Sequence, residues 1–163
     1  MSINSKVIWA EGMFLRPQHF QQHDRYMERF INGRCLGLRP HDRGFYNLKM
    51  DLSFLKIGKF ALTECRGIFP DGTPFNLPDD DDLPLPIDIP DDIHNEIVFL
   101  SLPLRRPGAA ETDSAVNMDS LARFRTSERE VKDNNCDSES EASLQIGKLK
   151  SRLMLQKEER SGY

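Results

Sequence analysis

The apolar positions of this chain follow a helical period near its start and a strand period through most of the rest. Phe20, Met27, Phe30 and Ile31 fall near one helical face, with His23 on the same stripe, while Gln21, Gln22, Asp24, Arg25 and Glu28 fill much of the opposite side. Proline at 17 suits a first helical turn, where its missing N–H costs nothing. Gly33 and Gly37 read as stop signals. The spacing predicts a helix from about Pro17 to Asn32, docked on a core through its phenylalanines. Ser5 to Ala10, ahead of it, reads as a short strand or extended arm.

After Pro40 the period becomes two. Gly44 to Met50 is a predicted strand, and Asp51 to Leu55 a single helical turn capped by Asp51 and ended by Gly58. Phe60 to Phe69 alternates as one strand. Pro70-Asp71-Gly72-Thr73 is a tight-turn signature, and Pro74 to Leu77 returns as the hairpin partner. Residues 78–92 form a connection whose prolines disfavour a central strand. Ile97 to Leu102 reads as a strand buried on both faces. Pro103 to Ser120 lacks periodicity and reads as a long loop. Arg123 to Asp133 reads as a weak, edge-like strand, and Asn134 to Ala142 as a polar turn. Leu144 and Ile146 fall on one parity and Leu149, Leu153 and Leu155 on the other. A bulge at Gly147 would account for that slip within a single closing strand. One helix followed by about six to eight strands points to a mainly β protein, a β-sandwich with one N-terminal helix.

Composition narrows the function classes. The 163 residues suffice for one domain with a real core. A net charge of -4 with no basic run gives no attraction to nucleic acid. No apolar stretch approaches the roughly 20 residues that span a bilayer. The N-terminus lacks a secretory pattern, which makes the cytoplasm the expected compartment. Three widely spaced cysteines, Cys35, Cys65 and Cys136, argue against a disulfide framework.

Candidate chemistry is sparse. His19 and His23 are four apart on the predicted helix and could share a zinc ion. The metalloprotease form of that spacing needs a glutamate directly after the first histidine, and Phe20 stands there. No acid is placed as a third ligand, so the plainer reading is two interfacial or partly exposed histidines. The run Asp79 to Asp82, with Asp88, Asp91 and Asp92 nearby, lacks the ligand spacing and central glycine of a calcium loop. It reads as a solvated acidic loop, or as a salt-dependent contact for a basic partner. Cys65 reads as a core residue, and neither it nor Cys35 has a histidine placed to activate it. Glu11 and Asp24 are a carboxylate pair of unfixed separation. No Gly-x-Ser-x-Gly, P-loop or Gly-x-Gly-x-x-Gly motif occurs. The expectation is a protein that is not an enzyme, with no cofactor and no metal site.

The aromatic-rich start remains. Trp9, Met13, Phe14, Leu15, Phe20 and Tyr26 are the candidate interface residues. They either pack the helix on the sandwich or fasten a partner, where Trp, Tyr and Arg concentrate binding energy. Both readings can hold for different residues.

The run Ile8-Trp9-Ala10-Glu11-Gly12-Met13-Phe14-Leu15-Arg16-Pro17-Gln18-His19-Phe20-Gln21-Gln22 resembles the N-terminal signature of TssK, a baseplate subunit of the bacterial type VI secretion system. Gly67 to Phe75, Glu130 to Asn134 and Leu149 to Leu155 fit the same family in order. The resemblance implies a β-sandwich shoulder domain over 1–163, like that of phage receptor-binding proteins. The family's helical neck and C-terminal head would lie outside it. It also implies a trimer, with the shoulder facing a wedge of TssF and TssG and the absent head meeting TssL and TssM. The location implied is cytoplasmic, recruited to the inner-membrane-associated baseplate. A saccharide- or receptor-binding module of phage-tail type is the alternative.

Overall fold

The computed structural model describes residues 5–38, 42–90, 92–113, 120–132 and 141–163. The chain divides into two units, Met1–Arg43 and Gly44–Tyr163. The first contains helix α1, Pro17–Leu38, which starts at the expected proline but runs six residues past Asn32. Gly33 and Gly37 do not stop it. A glycine inside a helix costs only about 1 kcal/mol, and here Arg34 lies over the Phe30 ring, bridging the turn around Gly33. No residue of α1 is buried, and Phe20 and Phe30, on the face expected to pack, are both exposed.

The second unit is β-rich. It opens with β1, Gly44–Met50, and the one-turn helix α2, Leu52–Leu55. Asp51 caps α2 as its sequence predicts, accepting from the Ser53 amide at 2.8 Å. The segment 60–69 is two strands, β2 (Lys59–Phe60) and β3 (Leu62–Ile68), interrupted at Ala61. β3 pairs antiparallel with β1 on one side and with β4 (Pro74–Leu77) on the other. Met50 faces Leu62 but Lys49 faces Glu64, which leaves Thr63 as an extra residue. That bulge lets Leu62 and Cys65, of opposite parity, both turn inward. Gly67 admits the close approach of β1: a Cβ there would sit 2.1 Å from the Gly44 carbonyl oxygen.

β5 (Ile87–Asp88) is a two-residue partner of β2. β6 (Val98–Ser101) pairs with β10 (Arg152–Leu155) in a two-stranded sheet. Most of β6 is only half-buried and Ile97 is exposed, correcting the expectation of burial on both faces. β7 (Thr112–Asp113) lies parallel to the start of β8 (Phe124–Lys132), which pairs with β9 (Glu141–Leu149). β8 is thus the middle strand of three at its root rather than an edge. The expected polar turn lies mostly outside the described residues.

No bulge occurs at Gly147. The β8–β9 register is continuous from Phe124↔Leu149 to Lys132↔Glu141, and the closing strand instead breaks after Leu149, before β10. Gly147 is small because the Phe124 ring lies across it, within 3.3 Å of where its Cβ would be.

The core lies where β3 and β4 face β9 and β10. Cys65, Leu77, Leu102, Leu149 and Leu153 meet there, joined by Phe69 and Phe75 with ring centres 4.6 Å apart. Burying each such leucine or phenylalanine contributes about 1.5–3 kcal/mol.

The acidic run is solvated only in its first half: Asp79 and Asp80 are exposed, whereas Asp81 and Asp82 are structural. Asp81 is buried and accepts from the Leu149 amide at 2.7 Å. Asp82 pairs with Arg125 and, at 3.0 Å, with Lys148. The two carboxylates tie the 78–92 connection to the root of the β8–β9 hairpin. Among the described residues no helix is long and apolar enough to cross a membrane.

Candidate protein-interaction site

The aromatic segment is ordered by its own polar groups. Glu11 and Gly12 form a turn, closed by Met13 N–H donating to Ala10 O at 3.3 Å, and Gly12 takes φ 77°, a backbone position that suits glycine. α1 then starts with a reciprocal cap. His19 N–H donates to Arg16 O at 2.9 Å, and the His19 Nδ1 accepts from Arg16 N–H at 3.1 Å. An imidazole does here what a glutamate does in a capping box. Gln22 fastens the lead-in chain to the helix, donating to Ser5 O at 2.7 Å while its Oε1 accepts from Arg25.

These bonds bring Trp9 back over α1. Its ring centre lies 6.3 Å from those of His19 and Phe20 and 6.0 Å from that of His23. Tyr26 stacks on Phe30 one turn further along, at 6.2 Å. Trp9 therefore separates the candidate residues into two groups. Trp9, Phe20 and the two histidines form one cluster, and Tyr26 with Phe30 a second. Phe14 and Leu15 stand clear, 81% and 54% exposed, while Met13 is half-buried.

The histidine pair is shaped for packing rather than for metal. His19 Nδ1 already accepts a backbone hydrogen, and the tryptophan ring lies against both imidazoles. His23 Nδ1 is buried without a hydrogen-bond partner among the described residues. No group of three metal-ligating side chains occurs among the described residues. Cys65 is fully buried, and burial pushes its thiol up to about 11, the wrong direction for a nucleophile.

What the arrangement offers is apolar surface. Trp9, Phe14, Leu15 and Phe20 are each about half exposed or more, over a short stretch held by defined hydrogen bonds. Preorganised rings of this kind bind with little loss of side-chain freedom.

Residues 19–163 match a family profile described as bacterial type VI secretion, VC_A0110, EvfL, ImpJ, VasE. The chain is also 44% identical over 158 residues to the type VI secretion system baseplate component TssK1 of Pseudomonas aeruginosa strain PAO1, covering 97% of this chain and 36% of that protein. This chain belongs to the TssK family. It spans about a third of the length of that relative. A crystal structure of TssK superposes on the TssK-family chain with a TM-score of 0.89 at 39% identity, over 98% of this chain and 36% of that one. The expected mainly β fold with an N-terminal helix is the fold of that structure. A cryo-electron microscopy structure of a TssK-TssF-TssG baseplate subcomplex matches at 0.85 with 21% identity, over 99% of this chain and 54% of the other, a likeness of fold alone.

The hydrophobic pattern pointed to the aromatic segment but missed three groups. They are Arg123, which donates to Asp71 and Thr73, the Asp81–Asp82 staple, and the exposed part of the β8–β9 hairpin. The first two join residues more than forty positions apart, which carry no local signal of their pairing.

Proposed function

We propose that this chain is the shoulder of a TssK-type baseplate component, which docks a TssK trimer onto a wedge of TssF and TssG in a type VI secretion system. The single observation that carries the reading is the cluster of exposed rings at Trp9, Phe14 and Phe20, prearranged on α1 by the Gln22–Ser5 and Arg16–His19 bonds. The family membership supplies the machine, and the named assembly of its relatives supplies the partners. Contact energy at such a site concentrates in a few central apolar anchors ringed by polar groups. Here Trp9 and Phe14 are the anchors, and Arg16, Gln18 and Gln21 belong to the exposed rim. TssL and TssM are left to the part of the relatives that this chain does not span. In the cell the chain would sit on the cytoplasmic side, recruited to the baseplate at the inner membrane.

The test is capture of a purified TssF–TssG wedge by the wild-type chain and by a Trp9→Ala/Phe14→Ala variant. The reading expects capture by the wild type and loss of about tenfold or more in affinity in the variant. Equal capture by a folded variant removes this segment from the interface.

A further inference from the structure

The chain ahead of α1 is held on the helix by Gln22, which donates to Ser5 O, by the Arg16–His19 cap and by the Trp9 ring. The first of these does not titrate. The other two need neutral imidazoles. At the cap, Arg16 N–H donates to His19 Nδ1 at 3.1 Å. Only an unprotonated ring nitrogen accepts; an imidazolium carries a proton on both nitrogens and can only donate. Beside Trp9, the His23 ring lies 6.0 Å away, centre to centre. Its Nδ1 is buried with no hydrogen-bond partner among the described residues. A bare nitrogen tolerates that position, whereas a protonated one is a buried donor with no acceptor.

The surroundings offer little to offset a positive charge. The titratable and charged groups of the two segments that pack here are Lys6, Glu11 and Arg16 ahead of the helix and Asp24, Arg25 and Tyr26 along it. Arg25 is bonded to Gln22, and no ion pair to either imidazole occurs among the described residues. The first turn of α1 holds no acidic residue, and the N-terminal end of a helix disfavours a cation. A single imidazolium is drawn to a tryptophan face. Two of them one turn apart on one helix repel, and forming the one at His19 costs the cap bond.

We propose that the aromatic segment is proton-gated: neutral His19 and His23 hold Trp9 on α1, and their protonation releases the chain ahead of the helix and disperses the ring cluster. The sign follows from the acceptor role of His19. The cap is intact where the imidazoles are neutral and is lost as pH falls through the range in which such rings ordinarily protonate, between roughly pH 8 and 5. The gate is a regulation of the docking site and rests on the docking reading for its consequence: a partner that binds the prearranged rings favours the neutral form.

Trp9 is the one tryptophan of the 163-residue chain, so its emission reports this segment alone. The experiment follows its emission maximum and its access to acrylamide between roughly pH 8 and 5, at a concentration where light scattering shows no association. Intensity is a poor readout, since an imidazolium touching the ring quenches it without any movement. In acid the wild type is expected to shift to longer wavelength and to become more accessible. His19→Glu places the ordinary capping-box acceptor at the same position, and its carboxylate stays ionised down to roughly pH 4.3. Paired with His23→Phe, which keeps a ring beside Trp9 and takes no proton, it should abolish the transition. His19→Ala, lacking the acceptor, should show the acid spectrum already at pH 8. A wild type without a transition overturns the gate, as does a transition that survives in the double variant or a His19→Ala chain that keeps the alkaline spectrum. Wedge capture separates the gate from the docking reading. Acid should weaken capture by the wild type about fivefold more than capture by the double variant, the equivalent of one hydrogen bond; equal weakening of both overturns the control of docking by the gate. A Trp9 transition in a chain that never captures the wedge removes the docking reading and leaves the gate.

Discussion

Arg123, with only 2% of its side chain exposed, donates to the carboxylate of Asp71, a residue 52 positions earlier in the turn between β3 and β4. The same guanidinium donates to Thr73 Oγ1 at 2.6 Å and to Pro103 O at 2.7 Å. Two separate segments, the β3–β4 turn and the chain at Pro103, are thus held by one cation. Burial works against the Asp71 carboxylate, but the Thr73 amide, the Arg123 charge and the accompanying hydrogen bonds outweigh it and leave its pKa lowered from 3.8. A lowered folded-state pKa means the stabilisation is present above the ordinary value and is lost as pH falls through the folded one. Asp71→Asn is expected to cost about 2 kcal/mol at neutral pH, a figure reduced for the carboxylate's partial exposure. Urea melts at pH 7 and below pH 3.8 check this: the difference between wild type and variant should shrink in acid.

Gly67 and Gly33 should respond oppositely to alanine. At Gly67 a methyl group would lie 2.1 Å from the Gly44 carbonyl oxygen and 2.7 Å from the Phe75 ring, so β1 must move. Gly67→Ala is expected to destabilise by about 3 kcal/mol. At Gly33, in mid-helix, nothing lies within 4 Å, and Gly33→Ala is expected to raise helix stability by about 0.5–1 kcal/mol. Thermal melts followed at 222 nm report the sign of each.

Asp81→Ala removes the acceptor of the buried Leu149 amide and leaves that N–H unpaired. The expected cost is about 1–3 kcal/mol. Hydrogen exchange gives the sharper readout, with the Leu149 amide losing protection.

Cys35 is exposed and Cys65 is fully buried with its thiol raised to about 11. In a Cys136→Ser background, a thiol reagent at pH 8 should label Cys35 in the native protein and Cys65 only after denaturant is added. Labelling of both at equal rates would contradict the packing of the core.

The legible parts of this fold were those governed by neighbours in sequence. Asp51 capping α2, the turn after Phe69 and the alternation of β3 and β4 all follow from contacts within a few residues. The Trp9 segment announced itself by composition, and its similarity to TssK carried family and machine. Other features depended on distant partners. Gly33 is the exception: it looked like a stop although the Arg34–Phe30 contact that spans it is itself local. The acidic run looked solvated because Arg125 and Lys148 lie more than forty positions away. The parity slip at Gly147 was real, yet a bulge was the wrong cause. Alternation shows where a strand is covered, and β9 meets its own core only at Leu149.

Asp82 receives both Arg125 and Lys148 at the root of the hairpin, while the strands beyond it stand bare. Mechanically this makes a lever with its fulcrum at two adjacent carboxylates, Asp82 and the Asp81 that holds the Leu149 amide. Any load taken up by the outer strands is transmitted there, into the connection between β4 and β5, before it reaches the leucines behind.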